Sequence, residues 1–511
     1  MTPAESMSPL RRLALTVLAM IASITQILDT TIANVALPHM QATLGATQDS
    51  IAWVLTSYII AVAIATPLTG WLEDRFGRRV LFTACVAGFT VTSALCGAAQ
   101  TLEMMVAARI AQGLSGALLI PLSQALILDI WPFEKRAYAM SIFIAGTMIG
   151  PISGPVLGGI LTESFNWRWV FYVNVPFGIV CTTGLWLLLE PGRGVRRRLD
   201  IFGFATLSIA LAAFQLMLDR GTRQDWFAST EIVIEAAIAL GAIWVFAVHT
   251  WTARVPLIPR ALFTDRNFAM SMIYLVVVVA AMYSIAALTA PMLQQLLHYN
   301  PQQAGMLMAP RGFGTMLAMI VCGRFSGRVD ERVMMVSGCL MLAWAHWIMT
   351  GFDLSMDTSL VLWSNFLQGV GVGLVTIPLN MLAFLTLPPS LRTDGSAAFA
   401  LVRAVSASAG IAAMGALFAY NSQVSHADLS ARVTGMTMPL MDQRVVDGLG
   451  RFGGMIPAMV DGEINRQALM IAYLDDFWVM MWLTLIVIPF TLLLRPVKAK
   501  SEREIAPVIA D

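Results

Sequence analysis

Runs of about twenty apolar residues recur along the whole chain, separated by short stretches that gather arginine, acidic residues and proline. A helix of about twenty apolar residues is long enough to cross a hydrocarbon core. Fourteen such runs can be drawn, roughly at 13–35, 51–72, 80–100, 104–129, 137–162, 169–189, 201–218, 229–249, 267–290, 303–325, 333–352, 359–386, 395–418 and 476–495. The pattern predicts an all-α polytopic membrane protein of about fourteen transmembrane helices. The only large stretch outside the runs is a loop at about 419–475, mixing polar residues with short apolar patches. It reads as a lid or surface loop with some helix, or as a docking surface for a partner outside the membrane.

One run departs from the rest. Residues 146–159 read GTMIGPISGPVLGG, with Gly146, Gly150, Gly154 and Gly158 four residues apart and Gly159 after them. In a helix these glycines form one stripe without side chains, and Pro151 and Pro155 remove backbone donors beside it. Glycine and proline cost a helix in water about 1 and about 3 kcal/mol against alanine. In lipid the same stripe lets a neighbouring helix approach to backbone contact.

Composition agrees with the pattern. Hydrophobic residues make up 58% of the chain and charged residues 12%, with a mean hydropathy of +0.73. Soluble domains carry about 25% charged residues. The net charge of +1 becomes informative only when it is sorted by loop. With the N-terminus in the cytoplasm, cytoplasmic segments hold about 22 of the 32 Lys and Arg, and outer loops about seven. That asymmetry follows the positive-inside rule and predicts that both termini are cytoplasmic. Arg109, Arg311 and Arg403 remain inside predicted spans. The first run carries Asp29 and no cleavage-site pattern, so it reads as a retained helix. Cys85, Cys96, Cys181, Cys322 and Cys339 all fall within spans without paired spacing, which argues against a disulfide framework or a metal site.

An internal repeat divides the chain. Gly70-Trp-Leu-Glu-Asp-Arg-Phe-Gly-Arg-Arg79 follows the second span, and Gly323-Arg-Phe-Ser-Gly-Arg-Val-Asp-Glu-Arg332 follows the tenth. Aligning Gly70 with Gly323 superposes Arg75 on Arg328 and Arg79 on Arg332. Arg109-Ile-Ala-Gln-Gly113 is echoed by Asn365-Phe-Leu-Gln-Gly369. The expected organisation is a six-helix half at 1–200, an inserted helix pair at 201–266 and a second six-helix half at 267–511. Transporters built from such parallel halves hold their substrate near the midplane between them.

Asp29 is the outstanding ionisable residue within a span, past the middle of the first helix, with Gln26, Thr30, Thr31 and Asn34 nearby. An intramembrane carboxylate is costly and points to function by default. Arg109 is its natural partner, with Gln112 on the same helical face. A fixed ion pair or a snorkelling arginine would be the structural alternatives. Gln26, Asn34, Gln112, Arg311 and Arg403 are candidates for lining a substrate cavity. Asp74, Arg75, Arg78 and Arg79 form a charged loop that both sets topology and could latch helices together, with Asp74 at a helix N-terminus, where the dipole favours it. Asp129, Glu163, Glu190 and Asp219 read as solvated helix ends, and Glu235 as interfacial.

These segments together resemble the major facilitator superfamily, and in particular the fourteen-helix drug:proton antiporters of the EmrB/QacA type. Leu28-Asp-Thr-Thr-Ile-Ala-Asn-Val-Ala-Leu-Pro38 is similar to that family's first-helix motif, and Gly70–Arg79 to its loop motif between helices two and three. Arg109–Gly116 is similar to its fourth-helix motif, 146–159 to its fifth-helix antiporter motif, and Asn166–Gly178 to the approach to its sixth helix. Ile120-Pro-Leu-Ser123, Leu218-Asp-Arg-Gly221 and the long outer loop resemble EmrB-like members most. The second copy of the loop motif departs from the pattern, with Gly327 where the first has Asp74.

The resemblance implies a secondary active transporter rather than an enzyme. It implies export of lipophilic small molecules across the bacterial inner membrane by alternating access. Asp29 and Arg109 would couple transport to protons, with no cofactor beyond the proton gradient. It further implies a periplasmic membrane-fusion adaptor and a TolC-type outer-membrane channel as partners. The competing readings are a proton-coupled uptake permease of the same fold and a non-transporting membrane subunit. An integral-membrane enzyme is disfavoured because no loop clusters Asp, His or Cys.

Overall fold

The computed structural model describes residues 7–192, 198–221, 224–325, 329–433 and 455–494. Among them, fourteen helical segments are long and apolar enough to cross a membrane. They are α1 (Pro9–Leu44), α2 (Trp53–Phe76), α3 (Arg78–Ala98), α4 (Leu102–Ile130), α5 (Lys135–Ser164), α6 (Trp169–Leu188) and α7 (Ile201–Gly221). There follow α8 (Thr230–Thr252), α9 (Arg266–Leu296), α10 (Gln303–Phe325), α11 (Glu331–Met349), α12 (Thr358–Leu385), α13 (Pro389–Arg432) and α14 (Pro457–Leu493). Each matches one apolar run of the sequence.

Local chemistry sets the ends and bends. Ser8 caps α1 ahead of Pro9, and Gly45 closes it at φ 63°. That left-handed conformation costs glycine nothing. Gly77, at φ 76°, turns the chain between α2 and α3 where the Gly192 backbone comes close. The long spans are not uniform helices. A 3₁₀ turn at Thr66–Leu68 interrupts α2 at Pro67, and a π turn at Met292–Leu296 follows Pro291 in α9. Proline removes a backbone donor and favours such breaks.

The described part of the long loop at about 419–475 is mostly helix. α13 continues to Arg432, and α14 begins at Pro457 rather than near residue 476. His426 and Asp461 meet at 3.2 Å between these extensions. Residues 419–432 and 457–475 are polar enough to fall outside a hydropathy window, yet their backbone bonds continue the helices unchanged. The centre of the loop (434–454), most of the basic linker (193–197), part of the second loop motif (326–328) and the tail beyond 494 lie outside the described residues.

Helices α1–α6 pack mainly on one another, as do α9–α14. The pair α7 and α8 stands at the edge, touching α2 and α13 through α7. Only 17% of the α8 apolar window is buried by protein, against 78% in α4, so the pair faces lipid and α4 is central. The two halves meet where α2 and α4 pack on α13, and where α5 packs on α10 and α12.

The sequence repeat reappears in the packing. Gly113 on α4 lies against the Tyr58 backbone of α2, and Gly369 on α12 lies against the Arg311 backbone of α10. Gly70 and Gly323, the leading glycines of the two loop motifs, each sit under the opposite half. A side chain on Gly70 would overlap the Asp394 carboxyl of α13, and one on Gly323 would overlap Ser141 of α5.

Candidate functional site

Asp29 and Arg109 are each 0% exposed and form an ion pair, with Nη1 at 2.5 Å from Oδ2. Arg109 therefore does not snorkel. Its Nε donates to the Val54 carbonyl at 3.0 Å, and its guanidinium lies over the Tyr58 ring, 4.1 Å from the centroid. The second Asp29 oxygen accepts from Gln112 Nε2 at 2.9 Å and from Asn174 Nδ2 at 3.1 Å. Gln112 Oε1 in turn accepts from Arg109 at 2.7 Å. Asn174 also donates to Ser93 Oγ at 3.2 Å. Side chains of α4 and α6 thus converge on one carboxyl group of α1, with Ser93 of α3 behind Asn174. Three side chains donate to Asp29, and charge-assisted bonds of this kind are the stronger ones. Arg109 Nη2 has no partner and is buried, so the network has one spare donor.

Gln112 must be corrected as a cavity residue. It is fully buried and its amide is committed to Asp29 and Arg109. Of the other cavity candidates, Gln26 is buried with its Oε1 unpaired, and Asn34 is exposed on α1 with its amide on the Thr30 carbonyl. Arg311 on α10 and Arg403 on α13 each keep one buried nitrogen without a hydrogen bond. The Tyr283 side chain of α9 lies within electrostatic reach of both. The repeat explains this arrangement. Shifting Tyr58 by the Gly70-to-Gly323 offset lands on Arg311, and Arg109 corresponds to Asn365. The second half therefore carries its cation on α10, with no acidic side chain paired to it among the described residues.

The glycine stripe of α5 faces α1, the helix of Asp29. Gly146 lies against Met20, Gly150 against Ile27 and Leu28, Gly154 against Thr31, and Gly158 against Ile32 and Val35. Gly159 is not part of this seam, because nothing comes within 4 Å of where its side chain would be. Pro151 points away and is exposed, and the Pro155 side chain lies outside the described residues. α1 is thereby held on one side by the Asp29 network and clasped on another by α5.

The charged loop forms a cluster that differs from the sequence expectation. Arg78 pairs with Glu73 at 2.5 Å and with Asp129 Oδ2 at 2.9 Å. Asp129 Oδ1 accepts from Arg392 of α13 at 2.8 Å. Asp129 is therefore not a solvated helix end, because it joins cations from both halves. Asp74 lies in the last turn of its own helical segment, Thr69–Phe76, not at its N-terminus. Arg75 is exposed beside Trp71 and Phe76, and Arg79 stacks on Trp186 of α6 at 4.4 Å, within the same half. Arg78 reaches the contact between halves through Asp129.

Other acidic residues are placed simply. Glu190 pairs with Arg11 at 2.9 Å at the surface, and Asp219 accepts from Thr56. Asp219 also lines a polar cavity of about 520 Å³ between α2 and α7. Sequence reasoning missed Asn174, Glu73 and Arg392. Asn174 lay inside a quoted motif, and Arg392 follows the Pro388-Pro389 pair that opens α13.

A family model described as Major Facilitator Superfamily matches residues 19–411. The chain is 31% identical to the multidrug export protein EmrB of Escherichia coli (strain K12) over 488 residues, covering 94% of this chain and 95% of that protein. It is likewise 31% identical to the fatty acid resistance protein FarB of Neisseria gonorrhoeae over 474 residues, covering 92% and 94%. Among solved structures, the crystal structure of the human organic anion transporter MFSD10 (TETRAN) aligns over 94% of this chain and 100% of that one. Its TM-score is 0.57 and its identity 14%, a likeness of fold.

Proposed function

The chain belongs to the Major Facilitator Superfamily, in its EmrB-like branch, and on that footing we propose that it is a proton-coupled exporter of lipophilic small molecules. It is a multi-pass protein of the bacterial inner membrane. The observation that carries the coupling is the Asp29–Arg109 pair, fully buried and completed by Gln112 and Asn174. A proton on Asp29 removes the charge that holds Arg109, and three donors lose part of their acceptor. α1 is then free to shift against α4 and α6. Because α5 clasps α1 at the glycine seam and packs on α10, that shift passes to the other half.

In this scheme the halves at 1–200 and 267–511 rock against each other, and the inserted pair at 201–266 rides on the edge. Both termini and the Arg78–Asp129–Arg392 cluster face the cytoplasm, so the conformation described is closed on that side. The substrate lies between the halves, near Gln26 and Asn34 on one side and Arg311 and Arg403 on the other. Those two arginines, without acidic partners, favour substrates that carry a negative charge on an apolar body. A periplasmic adaptor and a TolC-type channel receive the substrate, with the helical extensions of α13 and α14 as the surface nearest to them.

The test is transport in proteoliposomes under an imposed proton gradient. Substrate should leave against its own gradient while protons move the opposite way. Substrate movement that ignores the proton gradient, by well-inserted protein, would overturn the coupling.

A further inference from the structure

Asp476 and His346 have no part in the scheme above, and both are buried ionisable groups. Asp476 sits on the buried face of α14 among Tyr473, Phe477 and Met480 and is 0% exposed, yet neither carboxyl oxygen has a hydrogen bond. His346 of α11 is 1% exposed and lies against α14. Its ring faces the backbone of Met480, one helical turn along α14 from Asp476. The surrounding cluster is apolar, including Met349, Phe352 and Met470.

A buried charge without a partner is among the costliest features a protein can hold, and such a group normally neutralises. Asp29 avoids that cost through three donors. Asp476 has none, so its surroundings suit a carboxyl group that carries a proton. We propose that Asp476 is a second proton-binding site, in the half opposite Asp29.

The groups around it are compatible with this assignment. On α14 itself, Asp475 is the adjacent residue and the neighbouring carboxyl group. Tyr473 is the neighbouring phenol. α11 contributes His346. On α13, His426 is engaged with Asp461 further along, and Arg403 lies over Phe399. On α9, Tyr274 is bonded to Cys339, and Tyr283 belongs with Arg311 and Arg403. The turns Met292–Leu296 and Ile488–Leu493 carry no titratable side chain. When α11 and α14 part enough to admit water, the Asp476 O–H bond breaks. The proton then passes to water, leaving a carboxylate.

The proton's presence on Asp476 does not depend on the export reading; its use in transport does. Infrared spectroscopy of the purified full-length protein tests the first. The carbonyl stretch of a protonated carboxylic acid should be present in wild type, absent in Asp476→Asn and retained in Asp29→Asn. Asp476→Glu should restore it at a shifted frequency, which guards against a misfolded Asn variant. Proton-to-substrate counting tests the second, and Asp476→Asn should move about one proton fewer per cycle. A carbonyl band unchanged by Asp476→Asn overturns the proposal, and a proton count unchanged by it overturns the site's use in transport. Loss of proton-driven transport in Asp29→Asn alone, with the band kept, separates the two sites. Proton-driven export that survives in Asp29→Asn would instead overturn the role given to Asp29, and the infrared result would still decide Asp476.

Discussion

Asp129 at the end of α4 and Arg392 at the start of α13 meet at 2.8 Å, although 263 residues separate them in the chain. The same carboxylate holds Arg78 at 2.9 Å, so one acidic group joins cations from both halves. The cluster is only partly exposed, with side-chain exposures of 10% for Arg392 and 27% for Asp129. Charge-assisted hydrogen bonds in such places are worth about 1.5–3 kcal/mol each.

Replacing Asp129 by Asn should therefore shift the conformational balance toward the state open at this end by roughly tenfold, which corresponds to about 1.4 kcal/mol. Accessibility of single cysteines placed along α13 and α2 to a membrane-impermeant thiol reagent would report it. Arg392→Ala should give a similar shift, and the double variant should add little to either, because both remove one interaction. Additive effects would show that the pair is not a unit.

Asp29→Asn keeps the shape of the carboxyl group and removes its charge. The protein should reach the membrane at normal level, and uncoupler-sensitive efflux of a lipophilic dye should fall to background. Arg109→Ala should be harsher, because it leaves the carboxylate buried without its cation, a loss of about 3–5 kcal/mol. Reduced protein level in Arg109→Ala, set against intact level in Asp29→Asn, would be seen by quantitative immunoblotting. Undiminished efflux in Asp29→Asn removes this residue from the mechanism.

Gly154 and Gly159 make a matched pair of controls. A leucine at Gly154 would collide with Thr31 and force α5 away from α1, two residues from Asp29. Transport should be lost without any change of charge. Gly159→Ala meets open space and should transport normally. Normal efflux by a well-inserted Gly154→Leu protein would show that the stripe is not a close-packed seam.

Arg311→Gln and Arg403→Gln should separate substrates by charge. Efflux of lipophilic acids should weaken by about tenfold or more in each, a loss of about 1.4 kcal/mol or more. Efflux of lipophilic cations should be maintained. A panel of dyes and weak acids of matched hydrophobicity measures this, and equal losses across the panel would assign the arginines to structure instead.

The hydrocarbon core sets a minimum length for each apolar run, so fourteen spans were legible from hydropathy alone, as was the stripe at 146–159. The repeat and the intramembrane Asp29 and Arg109 could also be read from residue type and spacing. Helix ends were less legible where helices leave the membrane. Hydropathy falls at the polar residues before Asp476, while the backbone ladder continues, so Asp476 read as the edge of a span and is in fact inside the core of α14. Partners separated by hundreds of residues were not legible at all. Asp129 finding Arg392, the stripe facing α1, and Asn174 reaching Asp29 depend on which helix faces meet. A single chain's hydrophobic pattern states that those faces must be covered, and only the packed bundle decides by what.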